Sequence, residues 1–104
     1  MKSIERLLPY ERRLVNFALY DVIERQDGDC RRDKATGELT ARLNVYGNAS
    51  DFLFVVSDGA ATRLKVALLR ACPGLSEQGQ QRAVTYLADS VEQALENELQ
   101  INQY

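Results

Sequence analysis

The chain of 104 residues contains no histidine. That absence removes serine–histidine and cysteine–histidine nucleophile pairs, imidazole acid–base chemistry and the usual histidine-bearing catalytic zinc sites. Cysteine is scarce. Cys30 and Cys72 are the two present, and their separation fits neither a metal-binding nor a redox spacing. Arg31 and Arg32 follow Cys30, but no base is at hand to activate it as a nucleophile. It reads as part of a polar loop, and Cys72 reads as core.

Glycine-rich loops are missing too. Gly47, Gly59, Gly74 and Gly79 stand singly, and none leads into the Lys-Ser or Lys-Thr of a phosphate-cradling loop. The segment from Asp58 through Ala61, at a strand end leading into a helix, could offer backbone N–H groups to an anion, but Asp58 would repel one and a helix cap is the simpler reading. The longest strictly apolar run, residues 52–56, falls far short of the roughly 20 residues that span a bilayer. Near the start, Lys2 is followed by Glu5 and Arg6, which interrupts any secretory apolar run. The expectation is a cytoplasmic, soluble chain with reduced thiols, no membrane association and no lipid anchor.

A large net charge is also absent. The formal charge is −2 and the isoelectric point about 5.1, so no global field draws in nucleic acid or an anionic surface. The distribution is uneven: residues 76–104 carry one basic and five acidic side chains.

What is present is an ordinary globular composition, 45% hydrophobic and 27% charged, in a length suited to one domain spanning residues 1–104. The organising stretch is 38–57. Leu39, Ala41, Leu43 and Val45 alternate with Thr40, Arg42, Asn44 and Tyr46, the period of a half-buried strand. Residues 52–56 are apolar throughout, which predicts a strand covered on both faces. Five turn-prone residues, 47–51, join the two as a hairpin. A short extra strand at 30–33, returning through a turn at 34–37, would extend the hairpin to a three-stranded meander, since an isolated hairpin is marginal in water.

On either side lie helical patterns. Ile4, Leu7, Leu8, Leu14, Val15, Ala18, Leu19, Val22 and Ile23 recur at steps of three and four, predicting helix over residues 3–25, interrupted or started by Pro9. Residues 60–72 are ambiguous. Asp58-Gly59 signals a hairpin, and Leu64, Val66 and Leu68 alternate, but the segment is rich in helix formers and is read as a helix. Pro73-Gly74 stops it. Ser76 caps a long last helix whose stripe is Val84, Leu87, Ala88, Val91, Ala94, Leu95 and Leu99. The expected fold is α+β: an N-terminal helix, a small antiparallel β-meander, and two C-terminal helices packed on the sheet.

Few residues suggest chemistry. Asp27, Asp29, Asp33 and Glu38 fall at positions 1, 3, 7 and 12 of a calcium loop. Position 6, where that loop needs glycine, is Arg32, and position 5 is Arg31, so cations occupy the cage. No metal site and no cofactor are expected. Arg31, Arg32 and Lys34 form a basic cluster that Arg12, Arg13 and Arg42 could join in space, although Asp27, Asp29 and Asp33 are interleaved with it. Tyr46 is the aromatic expected outside, and Phe52 and Phe54 the core pair. No motif is specific enough to name a family. The function expected is that of a small non-enzymatic interaction or regulatory factor acting through a protein partner. The alternative is a nucleic-acid-associated factor using Arg31, Arg32 and Lys34. Self-association as a homodimer is expected, through an uncovered strand face or through the helix stripe of Val84, Leu87, Val91 and Leu95.

Overall fold

The computed structural model describes residues 2–26, 28–45 and 47–102, without the side chains of Asn48 and of residues 98–102. Strand β1 (Ser3–Leu8) leads into helix α1 (Arg12–Arg25). Strands β2 (Asp29–Arg32), β3 (Leu39–Val45), β4 (Asn48–Ser57) and β5 (Thr62–Arg70) follow, and helix α2 (Glu77–Asn102) ends the chain. The five strands form one antiparallel sheet in the order β1-β5-β4-β3-β2. Helix α1 therefore links the two opposite edges, and the meander β2–β5 walks back across the sheet until β5 pairs with β1. The class is α+β, with a five-stranded sheet and two helices.

Two segments differ from the sequence expectation. Residues 3–8 form a strand, not the start of a helix. Ile4, Arg6 and Leu8 face the helix layer, opposite Val66, Leu64 and Thr62. Period two was hidden because the middle inward position is an arginine. Arg6 is tolerated there because its guanidinium donates to Glu92 Oε1 at 2.8 Å and pairs with Asp89 Oδ1 at 2.9 Å, both on α2. The hydrogen bond to Glu92 is the main reason its pKa is held above the ordinary arginine value. Pro9 ends the strand, and α1 begins at Arg12.

Residues 62–70 are also a strand. The sequence reading as a helix rested on propensity, which tertiary context overrides. Here β4 needs a partner on its second edge, and the alternation of Leu64, Val66 and Leu68 supplies an inward row that is almost fully buried. Among the described residues the helices accordingly number two, not three.

Several other local features follow the sequence pattern. The short strand foreseen at 30–33 is β2, at Asp29–Arg32. Asp33 builds the turn after it. Its Oδ1 accepts from the backbone N–H of Ala35 and Thr36, and Gly37 closes the turn with φ +76°. The β3–β4 connection is tighter than foreseen, because Val45 already pairs with Asn48. Gly47 there has φ +79°, a conformation glycine adopts without Cβ strain. Ser76 Oγ accepts from Gly79 N–H at 3.0 Å, the expected cap of α2.

One core lies between the sheet and the two helices. Val15, Ala18, Leu19, Val22 and Ile23 of α1 and Val84, Leu87, Ala88, Val91, Ala94 and Leu95 of α2 pack on the inward sheet residues. Phe52 and Phe54 are at the centre, with ring centroids 6.4 Å apart. The polar groups caught in this layer are partnered. Ser50 Oγ accepts from Cys72 N–H at 2.9 Å, and Thr62 Oγ1 donates to the Tyr10 carbonyl at 2.6 Å. Among the described residues no buried side-chain N or O atom lacks a partner. No helix of the described residues is long and apolar enough to cross a membrane.

Both helices sit on one face of the sheet. The expectation that β4 is covered on both faces is therefore not met: Phe52 and Phe54 are buried, whereas Leu53 and Val55, pointing the other way, are only half-buried. The Phe52→Ala variant should lose about 3–5 kcal/mol of stability, the range for a large aromatic truncated in a packed core. A urea midpoint close to that of the parent chain would place Phe52 outside the core.

Candidate interaction surface

The uncovered face is built by alternation. Ser3, Glu5 and Leu7 of β1 lie beside Ala67, Lys65 and Arg63 of β5. Ala67, Lys65 and Arg63 in turn lie beside Leu53, Val55 and Ser57 of β4. Thr40 and Arg42 of β3 follow, beside Leu53 and Asp51, and then Arg31 and Asp29 of β2. A register shift between Asp51 and Phe52 opens the β4–β5 pairing, and Leu69 and Arg70 reach the same surface. The centre of the face is aliphatic, with half-buried Leu53 and Val55 beside Ala67, which is itself fully buried. Leu7 is 66% and Leu69 45% exposed, two of the four exposed large apolar side chains among the described residues.

Charges ring this centre. Arg31, Arg42, Arg63, Lys65 and Arg70 face outward with Glu5, Asp29 and Asp51. Five cations against three carboxylates make the face positive, while the whole chain is negative. Arg42 Nε donates to Asp51 Oδ1 at 3.1 Å, and Arg63 Nε stands 4.0 Å from Glu5 Oε2. Arg31, Lys65 and Arg70 form no ion pair among the described residues.

The basic cluster read from the sequence is divided by the sheet. Arg31 is on the open face with Arg42. Arg32, one residue on, points to the other side, where its guanidinium lies 5.4 Å from the centre of the Tyr20 ring on α1. Arg12 and Arg13 join Arg32 there: Arg13 stacks 5.8 Å over Phe17, and Arg12 pairs with Asp58 at 3.2 Å. Lys34 is exposed in the β2–β3 turn. Phe17, 60% exposed, escaped the sequence reading. The signal was available, because Phe17 is the large apolar residue of α1 that falls off the helical stripe.

The remaining candidates are placed as follows. Val84, Leu87, Val91 and Leu95 are at most 1% exposed, seated on the protein's own sheet and on α1, so a second copy could use them only by unpacking the core. Cys30 is exposed on β2, and Cys72 is half-buried just after β5. Asp27 and Tyr46 lie outside the described residues. Asp29 is on the open face, whereas Asp33 is engaged in its turn. Among the described residues no group of three or more potential ligands comes together in a way that could hold a metal ion.

Comparison with protein-family models and with curated proteins finds no match for this chain.

Adding millimolar Ca²⁺, or EDTA, should leave the melting temperature unchanged, since a cation bound to the folded state alone would raise it. A rise of several degrees with Ca²⁺ would restore a calcium loop at Asp27, Asp29, Asp33 and Glu38.

Proposed function

We propose that the protein is a non-enzymatic interaction module that docks a protein partner on the open face of its sheet. The observation that carries this reading is the one-sided helix layer. It leaves Leu53 and Val55 side by side on the outward side of β4, with Leu69 at the neighbouring register shift of β5, among cations that the chain itself only partly pairs; Leu7 stands apart on β1, beyond Arg63 and Lys65. Contiguous apolar surface with a polar rim is the pattern of a docking site. Face-to-face pairing of two copies would give the homodimer foreseen from the sequence, but it would press two net-positive faces together. A different chain fits the charges better.

A second reading has its own support. Arg12, Arg13 and Arg32 stand with Phe17 and Tyr20 around a shallow groove on the α1 side. Guanidinium and aromatic planes side by side suit the stacking of unpaired bases. Binding there would fall steeply with salt and would weaken in Phe17→Ala.

The two readings separate in one comparison. A tagged parent chain should retain a protein partner from lysate of its native host, and the Leu53→Thr/Val55→Thr variant should release it with an unchanged melting temperature, because threonine keeps the strand preference while removing apolar contact. Retention undiminished in that variant, or retention lost only after nuclease treatment, would count against the open face.

A further inference from the structure

We propose that the groove at the β2–β5 end of the open face takes an acidic segment of a protein partner, whose carboxylates meet Arg31 and Arg70 while its apolar side chains lie on Leu69 and Leu53. The proposal rests on the reading of that face as a docking surface. The groove, of about 590 Å³, is lined by Arg31, Arg42 and Arg70 with Asp29, Asp51 and Leu69. Arg42 and Asp51 hold one another at 3.1 Å, which fixes both and removes them as free charges. Arg31 and Arg70 are left without an ion pair among the described residues, on either side of that pair. A guanidinium is a planar fork that fits a carboxylate through two parallel hydrogen bonds. Two such forks on rigid strands form a two-point anion receptor with an aliphatic floor.

Spacing narrows the occupant. Arg31 on β2 and Arg70 on β5 are three strand steps apart, roughly 15 Å once the offset along the strands is included. An extended peptide covers that span in about four or five residues, so carboxylates at positions i and i+4, with apolar residues between, would reach both forks. Nucleic acid fits less well. Among the described residues no aromatic side chain on this face offers a surface for a base, Phe52 and Phe54 pointing into the core. Asp29, which lines the groove and forms no ion pair among the described residues, opposes a continuous run of phosphates, whereas a peptide can place its two charges clear of it. A second copy fits less well too. Asp89 and Glu92, central on the acidic α2, are already held by Arg6, and a contact between α2 and the open face of the next molecule would be heterologous, giving rings or filaments instead of a two-fold dimer.

The test uses the full chain and fluorescence anisotropy with labelled six-residue peptides. One carries Glu at positions 1 and 5 with leucines between them. The others replace both Glu by Gln or by Lys, and a single-stranded oligonucleotide is run in parallel. The parent chain should bind the Glu peptide at least tenfold more tightly than the Gln peptide. The Arg31→Glu/Arg70→Glu variant, checked for an unchanged circular dichroism spectrum, should lose the Glu peptide and gain the Lys peptide, an exchange that mere unfolding cannot produce. Arg31→Gln/Arg70→Gln, which should lose the Glu peptide without gaining the Lys peptide, serves as second variant if the reversal misfolds. No binding of the Glu peptide up to millimolar concentration, or equal binding of the Glu and Gln peptides, overturns the proposal. So does tighter binding of the oligonucleotide that the same reversal abolishes, or a doubled mass in light scattering that the reversal returns to monomer. If the reversal leaves partner capture intact while Leu53→Thr/Val55→Thr abolishes it, the acidic occupant is wrong and the docking face stands. If neither affects capture, both fall.

Discussion

Hydrogen bonding along both edges of β5 holds the sheet together as one unit. On one side β5 pairs with β4, the neighbour in sequence. On the other it pairs with β1, opposite Ser3 through Leu8, and the backbone N–H of Leu68 reaches the Lys2 carbonyl at 2.8 Å to extend the ladder. A helix over the same residues would satisfy its own backbone but would leave β1 without a partner and β4 with one open edge. The inward row of β5, Leu64, Val66 and Leu68, would then no longer roof the core under α1 and α2. Seen this way, the ion pairs of Arg6 with Asp89 and Glu92 are a consequence: once β1 is held against β5, its middle inward side chain must cross the helix layer or find a partner at its margin.

The same arrangement accounts for the asymmetry of the two sheet faces. The strongest apolar stripes of the chain, those of α1 and α2, are both spent on the face that carries Phe52 and Phe54. The opposite face is left with aliphatic side chains too few and too small to build a second core, and with charges at its margins. Its cations lie against a chain that is negative elsewhere, most of all along α2. Separation of charge within one small molecule orients it in the field of a partner before contact is made.

How much of this was legible in the sequence depends on whether one pattern spoke or two competed. The alternation of β3 and the stripes over residues 15–23 of α1 and 84–95 of α2 have one reading each and are placed as read, whereas Leu14, counted in the same stripe as Val15, is 36% exposed. Ile4 and Leu8 fit a helix at i and i+4 and a strand at two steps, and Arg6 between them concealed the second. Residues 62–70 fit both templates, and their alanines, leucines and basic residues tipped the balance toward helix. What decided the matter was the requirement that β4, apolar at successive positions, be flanked on both edges, a condition no local window contains. The candidate surface was harder still. Arg31 and Arg32 look like one cluster in sequence, yet adjacent residues on a strand point to opposite faces, so each joined a different group: Arg31 met Arg42 and Arg70, and Arg32 met Tyr20. That both helices share one side of the sheet, leaving Leu53 and Val55 uncovered, follows from the path of α1 between opposite edges and is written in no single segment.

That path also sets the order in which the molecule can assemble. The meander from β2 to β5 forms from neighbours in sequence, but β1 pairs with a strand whose residues lie about 60 positions later, Ser3 opposite Ala67. Closing so long a loop carries an entropic cost that is met only when the far strand is already in place. Until then β1 and the edge of β5 that faces it remain unpaired strand edges. Among the strand pairings of the sheet, the one between β1 and β5 thus carries the largest loop-closure cost, while the β2–β5 pairings join neighbours in sequence.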